Sequence, residues 1–481
     1  MDHNRLIAEL KQLVGVTGVV ADPDALMTYD ADGCVMDTHA PHVVVLPTST
    51  EQVSSIVRLA AQYDVPVVPR GAGTGLSGGA TPMHGGIIIG TSRMSQILQL
   101  DLPNGRVLVQ PGVINWELTQ YLTLSGYHFA PDPSSQKACT IGGNIANNSG
   151  GPHCLKYGVT TNHVLGVEMV LADGSVIWTG DGTPDCAGYD LTGVISGSEG
   201  TFGIVTATWL RLTRLPEAIR VVLALYPDIA GATSTVSQVI ARGLLPAALE
   251  IMDRLAIKAV NTMYRLGMPD EAGALLIVEV DGVTDGLDEL LNDIVAICWS
   301  NGALDVRPAR TPAEQVRVWS ARKNAFGAMG RLAPTYHLVD TVVPRTRLPK
   351  MMEEVAQIAQ ELNLPVANVF HAGDGNLHPI ILFDRRDPDQ NERALQAVNR
   401  MMLISIEQGG VISGEHGIGV EKQEFMPYLF NQDDLAAMAA LHQGFDPEGR
   451  FNPGKIFPKA QNARDLAEQR HIMAFADRDV A

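Results

Sequence analysis

The run Phe370-His371-Ala372-Gly373-Asp374-Gly375-Asn376-Leu377-His378 carries two imidazoles seven positions apart around a Gly-Asp-Gly turn. Further along stands a second polar knot, Ser413-Gly414-Glu415-His416-Gly417. Together they offer three histidines and a glutamate, beside glycines that let backbone and ligand approach closely. Two imidazoles and a carboxylate suit a divalent metal, and the histidine left over suits a general base. A straight strand would aim residues seven apart at opposite faces, so the turn has to fold His371 and His378 back together. The competing reading is a glycine-rich loop with two solvent-facing histidines; the second knot weighs against it.

The elements that must hold these stretches read as strand and helix blocks. Residues 366–370 form a strand that delivers the first stretch, and a helix over 391–408 ends at Gly409-Gly410 before the second. Upstream, the pattern predicts strands at 220–225, 274–280 and 337–343, and helices at 230–243, 252–264, 285–299, 312–330 and 348–362. That texture is an α+β domain with an antiparallel sheet. It begins after Leu215-Pro216, where the glycine-rich character of the first half gives way to ordinary turns.

In the first half, a helix over 5–14, a buried strand at 42–48 and an amphipathic helix from Ser49 to about residue 63 lead to a strand at 65–69. The loop Arg70-Gly71-Ala72-Gly73-Thr74-Gly75-Leu76-Ser77-Gly78 follows. Gly73, Gly75 and Gly78 match GxGxxG literally, but that fingerprint needs a helix after the glycines. Here the loop runs instead into Pro82 and the strand residues 87–89, so the dinucleotide reading is rejected. Successive backbone N–H groups in such a turn still make an anion nest. Residues 131–151 contain Pro131, Asp132, Ser134, Thr140, Gly142, Gly143, Asn144, Asn147, Ser149 and Gly150. This run is dense in small hydroxyls, amides and glycines and has almost no hydrophobic period, an inventory that suits a wrap around a large polar cofactor. Tyr157-Gly158, a hairpin of strands at 165–171 and 175–178, and the glycine-rich turn 197–206 come next.

A chain of 481 residues is too long for one core. Hydrophobic content of 46% and charged content of 18% fit a soluble globular protein. A net charge of −18 argues against nucleic acid or anionic lipid as the main partner, and means that a small anionic substrate needs a local cationic pocket. The five cysteines, Cys34, Cys139, Cys154, Cys186 and Cys298, form no CxxC and no cluster-binding spacing, and read as reduced thiols of a cytoplasmic chain. No signal pattern opens the sequence and no apolar run reaches the roughly 18 residues of a membrane span, so membrane contact is expected only through partners.

Taken in order, the loop 69–75, the stretch 131–151, His371-Ala-Gly-Asp-Gly-Asn-Leu-His378, Ser413-Gly-Glu-His-Gly417 and Asn452-Pro453-Gly454-Lys455 resemble the FAD-linked oxidase family, whose flavin domain is of the vanillyl-alcohol oxidase type. Within it the likeness is to the FAD-bearing D chains of bacterial glycolate oxidases, and next to cytochrome-type D-lactate dehydrogenases. The resemblance implies an N-terminal helical segment (1–37), a two-subdomain FAD-binding domain (38–217), an α+β substrate domain with an antiparallel sheet (218–458) and a polar tail (459–481). It implies non-covalent FAD, because Thr74 stands where covalent members often have a histidine. Arg70, Gly71, Ala72, Gly73, Thr74, Gly75, Ser77 and Gly78 would meet the cofactor. So would the ten residues named above in 131–151, with Tyr157, Gly158, Gly203, Ile204, Val205 and Asn452.

The same resemblance assigns His371, His378 and Glu415 to a divalent metal (Zn, Mn or Fe), His416 to the base and Arg322 to the substrate carboxylate. Relatives acting on larger 2-hydroxy acids have Thr and Lys where this chain has Phe326 and Leu338, which favours a small acid. The implied activity is oxidation of glycolate to glyoxylate in a complex with a flavin-fold-like subunit and an iron–sulfur subunit. The alternatives are a D-lactate dehydrogenase and a non-catalytic flavin- or metal-binding scaffold.

Overall fold

A computed structural model describes residues 2–34, 38–180, 182–183 and 187–458. The chain divides into two compact units, and the division is not linear. The first takes residues up to 149, 159–215 and the segment from 415 onward; the second takes 150–158 and 216–414.

The first unit holds two sheets. Val43–Val45, Ile87–Gly90 and Val67–Arg70 pair in parallel, with Val19–Val20 antiparallel at one edge. Their near-continuous Val and Ile runs are those of strands buried on both faces. The helix Thr50–Tyr63 makes the crossover; Ser49 caps its start and Asp64, in the left-handed region, ends it. The second sheet is antiparallel, in the order Ile97–Asp101, Arg106–Val109, Ile204–Arg211, Val164–Val170 and Val176–Thr179. These are the two subdomains expected of the flavin domain. The returning segment adds to the first sheet through a bridge between Val67 and Phe451, whose ring is buried in the first core.

The second unit is built on an antiparallel sheet ordered Asp305–Ala309, Ala218–Tyr226, Ala274–Gly282, Ala248–Asp253, Val366–His371, Asn376–Leu377 and Thr341–Val342. Pro379–Phe383 pairs with Val366–His371 and with Thr335–Leu338. The helices Ile229–Ala241 and Leu287–Ser300 pack on this sheet. In its register Glu250 stands directly opposite His371.

The structure departs from the sequence reading in several places. The expected domains 38–217 and 218–458 exchange segments: 150–158 packs with the second unit and 415–458 with the first. The 131–151 stretch contains a short helix, Ile141–Asn147, capped by Thr140, and both Ile141 and Ile145 are buried in the second core. Residues 248–253 form a strand the sequence reading did not predict, and the helix expected over 252–264 starts at Arg254, capped by Asp253. The expected helix 312–330 breaks at Asn324 into Pro312–Lys323 and Ala325–Met329. Among the described residues Cys34, Cys139, Cys154 and Cys298 form no disulfide, whereas Cys186 and the tail 459–481 lie outside the described residues. Among those described, no helix is long and apolar enough to cross a membrane.

Gly273 shows how tightly the second unit is packed. A Cβ there would lie 1.8 Å from the carbonyl oxygen of Pro227, a backbone atom that cannot swing away. Gly273→Ala is expected to cost about 1–3 kcal/mol of stability, read as an earlier midpoint in urea with the slope unchanged.

Candidate functional site

In the second unit the Val366–His371 strand ends at the Gly-Asp-Gly turn, and His371 pairs across it with Asn376. Gly375 takes φ +84°, which an L side chain rarely adopts. The fold-back brings the rings of His371 and His378 to 5.2 Å between centroids, edge to face. Both are buried, which removes the reading of solvent-facing histidines. Phe326 stands edge-on to His378 at 6.1 Å. Beneath the pair lies Arg322, with no exposed surface; its Nη2 is 2.5 Å from Glu250 Oε2. Glu250 Oε1 is 2.7 Å from His371 Nδ1. Arg322 Nε and Nη1 find no hydrogen-bond acceptor among the described residues.

The end of this unit is fixed by Asp340, a fully buried carboxylate. It accepts the Ser413 hydroxyl at 2.7 Å and the Gly414 N–H at 3.1 Å, and its Oδ1 is 3.9 Å from His378 Nδ1. A Cβ at Gly414 would meet the Asn376 amide at 2.4 Å, so any side chain there has to displace that amide. The same unit holds a strap made by residues 150–158. Lys156 and Tyr157 bond Asp281, and His153 Nε2 and Trp319 Nε1 both reach Glu279. Burial and the Asp281 carboxylate push the Tyr157 phenol well above its ordinary range. Gly150, Tyr157 and Gly158 therefore lie with the second unit, away from the other cofactor candidates in chain grouping.

In the first unit the two cofactor stretches come together. A Cβ on Gly71 would lie 2.3 Å from Thr140 Oγ1, so the bare glycine lets the loop close on the N-terminus of the Ile141–Asn147 helix. Gly73, at φ +70°, leaves room for the Arg70 guanidinium beneath it. The N–H groups of residues 72–78 donate to no acceptor among the described residues, which is the donor set of an anion nest. Asn144 Oδ1 accepts from Asn115 Nδ2, which also binds the Pro131 carbonyl, pinning the start of the stretch to its helix. Asp132 and Gly203 belong to the same unit, as do Ser134, Gly142, Gly143, Ser149, Ile204 and Val205.

Glu415 and His416 open the returning segment of this unit. The His416 carbonyl accepts from Ser77 Oγ and from Asn147 Nδ2, each at 2.9 Å. Just beyond, the buried Glu199 accepts the N–H groups of Ile418 at 2.6 Å and Gly419 at 2.7 Å. Burial pushes the Glu199 carboxyl up, opposed by those two donors and by Lys422 and Lys455. Asn452 donates to the carbonyls of Gly79 and Glu199. Ser77, Asn147 and Asn452 thus hold protein backbone here. Sequence reasoning missed Glu199, Glu250 and Asp340. Glu250 left one signal, a lone acid inside the apolar run 247–252.

A family model for the FAD binding domain matches residues 41–180, and one for the C-terminal domain of FAD linked oxidases matches 215–456. The glycolate oxidase subunit GlcD of Escherichia coli (strain K12) is 41% identical over 458 residues, covering 95% of this chain and 92% of that protein. A probable mitochondrial D-lactate dehydrogenase of Danio rerio is 31% identical over 465 residues, with 95% and 92% covered. Among solved structures, p-cresol methylhydroxylase with substrate bound superposes with a TM-score of 0.79 at 18% identity, over 94% of this chain and 96% of its own. That likeness shows the fold, a flavin domain of the vanillyl-alcohol oxidase type with its second domain.

Glu199→Gln replaces one of the two acceptor oxygens with a donor that faces a backbone N–H. The 417–419 loop should loosen, with a loss of about 1–3 kcal/mol. Urea unfolding measures the loss, and hydrogen exchange at Ile418 and Gly419 should rise with it.

Proposed function

The chain belongs to the FAD-linked oxidase family, and from that premise we propose that it oxidises a small 2-hydroxy acid, glycolate to glyoxylate first among them, as the catalytic subunit of a multichain glycolate oxidase. The observation that carries the reading is Arg322, a buried guanidinium beside two buried imidazoles, with two N–H groups that no described residue accepts. A cation so placed is matched by a small carboxylate.

FAD fits the first unit. The unclaimed N–H groups of residues 72–78 suit a pyrophosphate, Arg70 adds positive charge beneath them, and the 131–149 stretch closes against the loop at Thr140. When bound, the flavin supplies a two-electron acceptor for a hydride from C2. A divalent metal fits the donor set of His371, His378 and Glu415, and a metal held there would lower the pKa of a ligated hydroxyl. This chain's own part is then threefold. Arg322 orients the carboxylate, His416 takes the hydroxyl proton, and the buried imidazole pair excludes water from the reacting end. Electrons pass on to companion flavin-fold-like and iron–sulfur subunits, since this chain has no cysteine spacing for a cluster.

D-lactate is the second substrate this arrangement favours. Phe326 places apolar surface beside His378 and Leu338 is buried, so a methyl group is tolerated better than a second carboxylate. The test is anaerobic bleaching of the flavin absorbance by glycolate, D-lactate and D-2-hydroxyglutarate. Glycolate should bleach fastest and the diacid barely at all. Bleaching by D-lactate without glycolate would overturn the substrate assignment, and bleaching by none of the panel would leave a scaffold. His416→Ala should slow reduction by about 100- to 10,000-fold, with flavin content retained; an unchanged rate removes His416 as the base.

A further inference from the structure

We propose that Glu250 is a positioning residue that sets the tautomer of His371 and the charge balance of Arg322. The inference rests on the reading of His371 as a metal ligand and Arg322 as the carboxylate clamp. Glu250 lies on the central strand Ala248–Asp253, in register with His371 and fully buried. Its two oxygens are divided between two partners: Oε1 is 2.7 Å from His371 Nδ1 and Oε2 is 2.5 Å from Arg322 Nη2.

A carboxylate only accepts, so the 2.7 Å contact assigns the hydrogen of His371 to Nδ1 and leaves the lone pair on Nε2. Nε2 is then the nitrogen able to bind a cation. The same carboxylate has a second effect. Arg322 Nη2 lies 3.4 Å from His371 Nδ1. A guanidinium has no acceptor, so without Glu250 it would donate to Nδ1 and drive the imidazole hydrogen onto Nε2, blocking the ligand nitrogen. The 2.7 Å contact from Glu250 competes for Nδ1 against the longer 3.4 Å contact from the arginine. Glutamine cannot do this for both, because its amide has one acceptor oxygen and its NH2 group would face either the arginine or the imidazole N–H.

The experiment uses the full-length, flavin-loaded protein, stripped with a chelator and titrated with zinc against a competing indicator dye, alongside steady-state kinetics with glycolate and a dye acceptor. For Glu250→Gln, zinc affinity should fall by about 10- to 100-fold and KM should rise, with flavin content kept. Glu250→Asp keeps the charge but withdraws it by one methylene. It should fall between the two and serves as the readout if the amide variant does not fold. A folded, flavin-loaded variant with wild-type zinc affinity and KM would overturn the proposal. Wild-type protein that takes up no zinc would sink the metal reading and this inference with it, whereas uptake unchanged by Glu250→Gln sinks this inference alone.

Discussion

A guanidinium with no exposed surface exists in this fold because a carboxylate with no exposed surface lies against it. Removing either partner of such a pair leaves an uncompensated buried charge, at a cost of about 3–5 kcal/mol. Replacing both with well-packed apolar side chains is often neutral or stabilising. Stability alone therefore gives no reason to keep Arg322, on the helix Pro312–Lys323, buried against Glu250, on a central strand of the sheet. The proposed carboxylate clamp does. The helix Pro312–Lys323 brings Arg322 to Glu250, and the sheet register places Glu250 opposite His371. The Gly-Asp-Gly turn then brings His378 beside it.

The first unit solves a different problem, that of leaving donors unused. Buried or half-buried N–H groups are normally paired with protein acceptors. Residues 73–78, all half-buried or buried, break that rule together. Glycine makes the block affordable in backbone geometry: Gly73 and Gly78 take positive φ, and Gly71 lets the loop press on Thr140 without a Cβ in the way. Side chains that look like cofactor ligands in the sequence instead secure the scaffold. Ser77 and Asn147 grip the His416 carbonyl, and Asn452 clasps Gly79 and Glu199. The loop proposed to meet the cofactor offers backbone N–H groups, and the polar side chains around it keep that backbone in place.

This division explains what was legible in the sequence. Residue types with strong chemistry at short spacing, such as His371 and His378, were readable, as was the turn that had to join them. Glycine-rich loops between strands were readable because only a fixed backbone gives glycines such regularity. The partners that come from far away were not. Glu250 lies 121 residues from His371 in sequence, and an acid within the apolar run 247–252 gives no periodic signal. Glu199 reads as one more polar residue in a glycine turn, yet it anchors a segment that returns from the far end of the chain. The exchange of 150–158 and 415–458 between units was hidden for the same reason: composition changes at Leu215-Pro216, and long-range packing leaves no mark on composition.

The physical basis of substrate choice also sets how sharp that choice can be. Phe326 beside His378 supplies apolar contact and no hydrogen bond to an acid's far end. A second carboxylate buried there would lose its hydration without a partner, a penalty of several kcal/mol. A methyl group is another matter: an apolar wall distinguishes compounds differing by one carbon by only about 1–3 kcal/mol, or roughly 10- to 200-fold. On the proposed reading a diacid is disfavoured by an unpaired charge, while glycolate and lactate are separated only by fit, so the wall at Phe326 discriminates far more sharply by charge than by one carbon.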